Sequence, residues 1–316
     1  MNSLLNLLKL YPRAQWNWKI VTRNPNTNIN TVLDHPELPW DKRELSANPS
    51  TTWSHVRSDI LEHVNWNISK LARHVHDVDA LLSYEERIHN IDSVPVYKET
   101  PSIFHSLSFN PCVDILMVKA YIKMPWDFHA LSANSGIRFE DVKTNPDLPW
   151  DGKQLSKNPN VYMNDIIDNP KIKWDIPTFC ANPNFDWLDI YRYPRKNWCH
   201  NTLSYHPKTT LDVINRYRHI FYKCEELVYN PNLNYDYIKE NLIDILDHKV
   251  MASQPYITAK NVMYDPLLRK HGHSLSANPS MDDRVICDTM GIIDWNFEAL
   301  SGNLFKFHPY FKSVEH

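Results

Sequence analysis

Glycine and long apolar runs are scarce in this chain of 316 residues. It has five glycines but 22 prolines, so we expect few flexible loops and many turns fixed by proline. No stretch of 18 consecutive apolar residues occurs, so no transmembrane helix is expected. The opening segment, MNSLLNLLKLYP, is interrupted by Asn6 and Lys9 and is too short for a signal peptide, so we expect a protein that is not secreted.

Cysteine is also rare, and the net charge is small. The cysteines form no CxxC pair and share no position of the repeat described below, which predicts free thiols in a reducing compartment. A net charge of −3 is not that of a polycation built for nucleic acid. Hydrophobic residues make up 42% of the chain, which is enough to bury a core.

One phrase recurs throughout the chain. It reads LPWDKRELSANP at residues 38–49, MPWDFHALSAN at 124–134 and LPWDGKQLSKNPN at 148–160. Eight of the eleven tryptophans fall on its anchor, which we number repeat position 0. Weaker copies lie in phase at Ser102, Tyr222, Leu246 and Lys270, and every step from Ser102 to Lys270 is 24 residues. The repeat core anchors are Trp16, Trp40, Trp66, Trp126, Trp150, Trp174, Trp198 and Trp295.

The other repeat positions predict a pair of helices. An Asp or Asn after the anchor suits an N-cap, and the apolar residue at position 5 completes a hydrophobic staple with the tryptophan. Asn at position 8 and Pro at position 9 end this first helix. A second cap at position 12 and an aliphatic residue at position 16 predict another helix. Helices of roughly eight residues are unstable alone, so the repeats must stack.

We therefore predict an all-α fold, an α-solenoid of about twelve 24-residue units, each with two short helices and Asn-Pro turns. At about 8–10 Å per layer, we expect twelve units to span on the order of 100 Å. The predicted organisation is an N-terminal capping helix (1–15), a first repeat block (16–82), an irregular insert (83–101), a second repeat block (102–304) and a C-terminal tail or cap (305–316).

The sequence offers no catalytic or metal-binding motif. The histidine-rich stretches RHVHD (73–77) and HGH (271–273) lack further ligands at metal spacing, and GxSxG, HExxH and P-loop patterns are absent. We therefore predict no enzyme, no metal site and no cofactor. The recurring Asn would either form a ladder along one edge that binds a periodic ligand or satisfy the turn beside proline, and turn chemistry favours the second interpretation.

One stretch departs from the balanced charge. Between Tyr191 and Lys223 the only acid is Asp212, and aromatic residues are interleaved with the basic ones. Such a band suits an anionic protein surface or a nucleic-acid backbone, although a solvated face is the simpler interpretation. The candidate interaction surface comprises Arg192, Arg195, Lys196, Lys208, Arg216, Arg218 and Lys223.

The phrases LSANPS (45–50 and 275–280), LSKNPN and PWD resemble the tryptophan-rich LSxNPxxxW repeat proteins of giant DNA viruses of the mimivirus and marseillevirus type. The resemblance covers almost the whole chain but departs from the pattern at Ser102, Leu246 and Lys270. It implies a structural or protein-interaction scaffold located in the virion, as a minor capsid or other component, or in the host cytoplasm. Two alternatives are a host-directed adaptor for a cellular protein and a nucleic-acid-binding protein that uses the basic band.

Overall fold

The computed structural model describes residues 3–58, 64–89, 103–222, 224–242 and 246–305. Within these ranges the chain is helical and has no strand, apart from an isolated bridge between Met290 and Ile293. The predicted all-α class is confirmed for this part of the chain. The chain divides into two compact units, called here the terminal unit (Met1–Glu44 with His200–His316) and the central unit (Leu45–Cys199).

The helices follow one another in a repeat-like order. Up to residue 44 they are α1 (Ser3–Leu10), α2 (Trp18–Arg23) and α3 (Ile29–Asp34). The central unit contains α4 (Trp53–Arg57), α5 (Ile68–Leu71), α6 (Val78–His89), α7 (Ile103–Leu107), α8 (Ile115–Ala120), α9 (Phe128–Ala133), α10 (Phe139–Thr144), α11 (Gly152–Leu155), α12 (Met163–Asp168), α13 (Ile176–Phe179) and α14 (Trp187–Arg192). From residue 200 the helices are α15 (His200–Ser204), α16 (Leu211–Arg216), α17 (Arg218–Phe221), α18 (Tyr235–Asn241), α19 (His248–Ala252), α20 (Ala259–Tyr264), α21 (Pro266–Arg269), α22 (Gly272–Ala277), α23 (Asp283–Asp288) and α24 (Phe297–Ser301). Residues Lys42–Ala47 and Glu225–Tyr229 form 3₁₀ helices.

Most helices are shorter than the eight residues expected from the sequence. The helix α9, for example, begins after its cap Asp127 and ends before Asn134, which leaves six residues. The capping chemistry is as predicted: Asp127 and Asp114 each accept a bond from the amide three residues later. Where position 12 has no capping side chain, at Arg138, the carboxylate of Asp141 accepts its backbone N–H instead. A six-residue helix such as α9 has fewer than two turns and depends on its neighbours.

The core follows the apolar repeat positions. All twelve residues at position 5 are buried, and Leu131, Leu155 and Phe179 are completely inaccessible. Position 11, which the sequence pattern had not revealed, is also buried in most repeats of both units, although Asp77 at this position is exposed. Its members include Val113, Ile137, Val161, Phe185, Thr209, Leu233, Ile257 and Met281.

The tryptophans lie at the margin of this core. Trp16, Trp126 and Trp295 are buried, but Trp40, Trp66, Trp150, Trp174 and Trp198 are only half-buried. The indole N–H of Trp150 donates to the carbonyl of Asn145 at 2.9 Å, and Trp126 bonds Tyr121 in the same way. An anchor therefore fixes the end of the preceding helix as well as contributing to packing.

A buried amide ladder joins successive repeats of the central unit. The Asn158 Nδ2 donates to the carbonyls of Ser132 and Asn134, both at 3.0 Å, and of Ile137 at 3.1 Å, while its Oδ1 accepts the amide of Asn160. Asn134 and Asn182 make the corresponding bonds one repeat earlier and later. The recurring Asn therefore completes its own turn, as predicted, and also ties that turn to the preceding repeat.

A hydroxyl ladder runs beside the amides. At repeat position 6 the Ser132 Oγ donates to the Phe128 carbonyl and accepts the backbone N–H of Asp151, which opens the next repeat. Ser108 and Ser156 bond to the openings of the following repeats in the same way. Each serine satisfies one of the amides that a helix start leaves without a partner.

In the terminal unit, the N-terminal helix takes the place of a missing repeat helix. Helix α1 packs on α23, and α2 packs on α24. Asn24 Nδ2 donates to the carbonyls of Ser301 and Asn303, and the Asn17 amide donates to Ser301 Oγ. These bonds have the register of an internal repeat junction, so α1 serves as the second helix of the repeat that starts at Trp295. We call this contact the seam.

Asp283 provides the polar part of the seam. Its carboxylate accepts bonds from Ser3 Oγ and Asn6 Nδ2, both at 2.8 Å. Burial alone would raise the pKa of Asp283, but the bonds from Asn6 and Ser3 prevail and hold it below its usual value. The segment 1–15 was predicted to be an N-terminal capping helix, and its helix α1 covers the last repeat.

The remaining predicted boundaries are only partly visible. Helix α6 continues to His89 and so occupies the start of the insert predicted at 83–101. The rest of that insert, from residue 90, and the C-terminal tail from residue 306 lie outside the described residues. Two repeats that lack tryptophan at position 0 have a short extra helix just before it. Helix α17 precedes Tyr222 and buries Phe221, and helix α21 precedes Lys270 and buries Leu268.

Candidate interaction surface

The predicted basic band is divided between the two compact units. Arg192, Arg195 and Lys196 belong to the central unit, and Lys208, Arg216 and Arg218 belong to the terminal unit. Lys223 lies outside the described residues. In the terminal unit Arg218 donates to Asn241 Oδ1 and lies over the Tyr222 ring. The seven predicted residues therefore do not belong to a single compact unit.

The central unit contains a cleft between two consecutive proline turns. The turns span residues 145–150 and 169–174, each between the second helix of one repeat and the anchor of the next. The cavity volume is about 950 Å³. Its apolar lining includes Leu148, Pro149 and Trp150 from the first turn and Ile172 from the second. This volume falls within the usual range of small-molecule and peptide pockets.

Lysines surround this apolar lining. Lys143, Lys153, Lys171 and Lys173 all line the cleft, together with Asp151 and Asp168. Lys143 is paired with Glu140 at 2.5 Å, and that bond raises the pKa of the Lys143 ammonium. Lys153, Lys171 and Lys173 make no ion pair with any residue that the structure describes.

The Asp151 carboxylate in the cleft wall is already occupied. It accepts the backbone N–H of Gln154 at 2.9 Å as an N-cap and lies 3.1 Å from His129 Nδ1. The Gln154 amide first, and His129 next, lower the pKa of Asp151. Asp151 therefore keeps its negative charge, so four lysines face two carboxylates in the lining of the cleft and positive charge is in excess.

The next turn of the same unit continues the basic character. Arg192, Arg195 and Lys196 line a shallow hollow of about 510 Å³ with Tyr193 and Pro194. Arg195 follows Lys171 by 24 residues, so the two occupy the same place in consecutive repeats. A cation thus occupies this place in two consecutive turns of the central unit, whereas the preceding turn has Asp147 there.

The histidines take structural roles. His206 Nδ1 accepts the amide of Lys208, and His74 Nε2 lies 3.1 Å from the Ser46 carbonyl, which reproduces two bonds of the asparagine they replace. His271 and His273 line a small hollow in the terminal unit. Among the described residues, no three His, Cys, Asp or Glu side chains are grouped to hold a metal ion.

The recurring polar residues are thus engaged in the backbone and in the junctions between repeats. No family model, curated protein or solved structure matches this chain. The resemblance to the giant-virus repeat proteins accordingly stays a hypothesis. In the described part of the chain, none of the helices is long and apolar enough to cross a bilayer.

Sequence analysis missed the lysines of the cleft because the charge window at 191–223 began after them. The signal was present in the pre-anchor turns, where NPKIKW (169–174) and YPRKNW (193–198) repeat the same basic pattern. Aligning charges by repeat position, and not by a contiguous window, finds Lys171 together with Arg195.

Proposed function

We propose that this chain is a non-enzymatic helical-repeat protein, an α-solenoid of about twelve 24-residue units that acts as a protein-interaction scaffold. The single observation that carries the proposal is the buried ladder of Asn and Ser side chains. It uses the polar residues that recur in most repeats to hold one repeat against the next. Side chains consumed in this way are not available for chemistry, whereas the exposed turns are free to vary and to bind.

The fixed turns support a bracing role. Pro146 and Pro170 stiffen the two turns of the cleft, and the anchors Trp150 and Trp174 bond back to Asn145 and Asn169. A surface built on such turns loses little conformational entropy on binding, which favours a stable contact with a partner.

In its most concrete form, the proposal places the protein in a giant DNA virus, as a minor capsid or other virion component. This location rests on the resemblance of the LSxNP and PWD phrases. Quantitative mass spectrometry of purified particles beside infected-cell cytosol tests it. We expect a fixed ratio to the capsid protein in particles, and absence from particles combined with abundance in cytosol contradicts it.

The mass-spectrometric result also separates the scaffold from the host-directed adaptor, which would accumulate in cytosol and be recovered with one cellular partner.

Cross-linking of intact particles with a lysine-reactive reagent then tests the scaffold directly. We expect links from exposed lysines such as Lys171 and Lys173 to one defined viral protein, with a constant pattern between preparations.

A further inference from the structure

The cleft of the central unit combines two features that rarely occur together on a solvated face. Its lining is apolar, with Leu148, Pro149 and Ile172 exposed to the cavity, and its edge carries three lysines without an ion pair among the described residues. A purely solvated charged face needs no apolar cavity beneath it. A purely apolar pocket needs no ring of ammonium groups.

We propose that this cleft binds an extended acidic segment of a partner protein. In this arrangement one apolar side chain of the segment enters the cavity between the turns 145–150 and 169–174. Flanking carboxylates pair with Lys153, Lys171 and Lys173. The assignment rests on the proposed scaffold role and names the chemistry of its partner.

Charge complementarity favours an acidic partner. The Asp151 carboxylate is held by Gln154 and His129, and Lys143 is neutralised by Glu140. Four lysines and two aspartates line the cleft, and Glu140 pairs with Lys143, which leaves the group an excess of one positive charge. Bringing carboxylates of a partner to this edge offsets that excess, with a strength that depends on ionic strength.

The shape and chemistry of the lining favour a peptide over a nucleic acid. Single-stranded nucleic acids are bound by successive aromatic rings on which bases stack, but Trp150 is the one aromatic residue among those lining this cleft. The rest of the apolar surface comes from aliphatic and proline side chains, which suit an apolar amino-acid side chain.

The length of the bound segment follows from the repeat. Adjacent layers of stacked helices are about 8–10 Å apart, and an extended chain advances about 3.3 Å per residue. Two layers, about 16–20 Å, therefore take about five or six residues at that rise and reach from the turn 145–150 to the turn with Arg195 and Lys196, which extend the same charge pattern.

Fluorescence anisotropy with the full chain tests the proposal. The probe is a fluorescein-labelled peptide of about ten residues, made of Glu and Asp around a central Phe-Leu pair and long enough to cross two layers. The double variant Lys171→Glu/Lys173→Glu changes the cleft, and Lys119→Glu/Lys157→Glu makes the same charge change at exposed lysines that do not line it. Circular dichroism and thermal unfolding verify that both variants remain folded.

We expect the peptide to bind saturably to the unmodified chain. The cleft variant should weaken this binding by about tenfold or more, and the control variant should weaken it much less. Replacing the Phe-Leu pair by Gly-Gly should also weaken binding, because the apolar lining loses its contact. The effect of the charge reversal should shrink as the salt concentration is raised, whereas the effect of removing the Phe-Leu pair should remain.

Three results overturn the proposal. The first is no saturable binding of the acidic peptide. The second is an equal loss in the cleft variant and in the control, which shows a general charge effect. The third is tighter binding of a twelve-nucleotide oligo-dT that displaces the peptide, which assigns the cleft to nucleic acid. None of them alters the particle abundance that tests the scaffold role, so the two failures are distinguishable.

Discussion

The amide ladder makes a strong prediction at Asn158. This side chain is 1% exposed, and its Nδ2 faces the carbonyls of Ser132, Asn134 and Ile137. Its two N–H hydrogens and one accepted bond amount to three net hydrogen bonds of about 1 kcal/mol each. We expect Asn158→Ala to destabilise this junction by about 3 kcal/mol, and by more if the carbonyls find no water.

An isosteric change at the same site tests the direction of these bonds. Asn158→Asp places a carboxylate oxygen where the amide had donated, opposite carbonyl oxygens, so at neutral pH we expect a larger loss than for alanine. Lowering the pH should recover part of the loss, because the protonated carboxyl donates one hydrogen bond. A steric account of the site predicts no such pH dependence.

Hydrogen–deuterium exchange of peptides covering residues 132–160 is the best assay, since a chain with two compact units need not unfold in one step. A loss of about 3 kcal/mol corresponds to roughly a hundredfold faster exchange through local opening. The matched control is Asn164→Ala on the exposed face of α12, where we expect no more than about 0.5 kcal/mol in either direction. Equal exchange in the two alanine variants would refute the assignment of the ladder.

Further predictions concern the anchors, the seam and the thiols. Trp150→Ala should lower the free energy of unfolding by about 1.5–3 kcal/mol, because the indole is only half-buried, and Leu155→Ala should lower it by about 2–5 kcal/mol. Urea unfolding followed by circular dichroism measures both values. A larger loss for Trp150→Ala than for Leu155→Ala contradicts the burial assigned to these two side chains. Because the pKa of Asp283 is lowered in the folded state, the contribution of its carboxylate to seam stability is present above about pH 4 and is lost as the pH falls through the folded pKa. Hydrogen–deuterium exchange of helix α1, corrected for intrinsic rates, should therefore become faster in acid. Asp283→Asn should remove that pH dependence. Burial raises the pKa of the Cys180 thiol to about 11, so iodoacetamide at pH 8 should modify the exposed Cys112 first. Peptide mapping measures the two rates, and equal rates contradict the buried position of Cys180.

Much of the local structure was predictable because it depends on short-range chemistry. The caps at Asp114 and Asp127 and the buried residue at position 5 each follow from side chains within a few positions of a helix end. The buried position 11 was missed because its members include threonine as well as aliphatic residues, and the Asn-Pro turn drew attention to position 8.

The bonds between repeats were not predictable in detail from one repeat. Oδ1 of Asn158 bonds an amide two residues away, which turn chemistry suggests, but its Nδ2 partners lie 21 to 26 residues earlier. Serine at position 6 is conspicuous in LSANP, yet its function requires knowing that the next repeat starts beside it. The burial of Trp150 was overestimated because the staple was treated as fully enclosed.

The seam has a consequence for synthesis of the protein. Ser3 and Asp283 are separated by 280 residues, and at about 5–20 residues per second a ribosome needs roughly 15–55 s to travel between them. During that interval the apolar side of helix α1, with Leu4, Leu7 and Leu8, has no docking face. The terminal unit therefore acquires its final packing only after α23 has been synthesised, and a nascent chain stalled before α23 should be the species most dependent on chaperones.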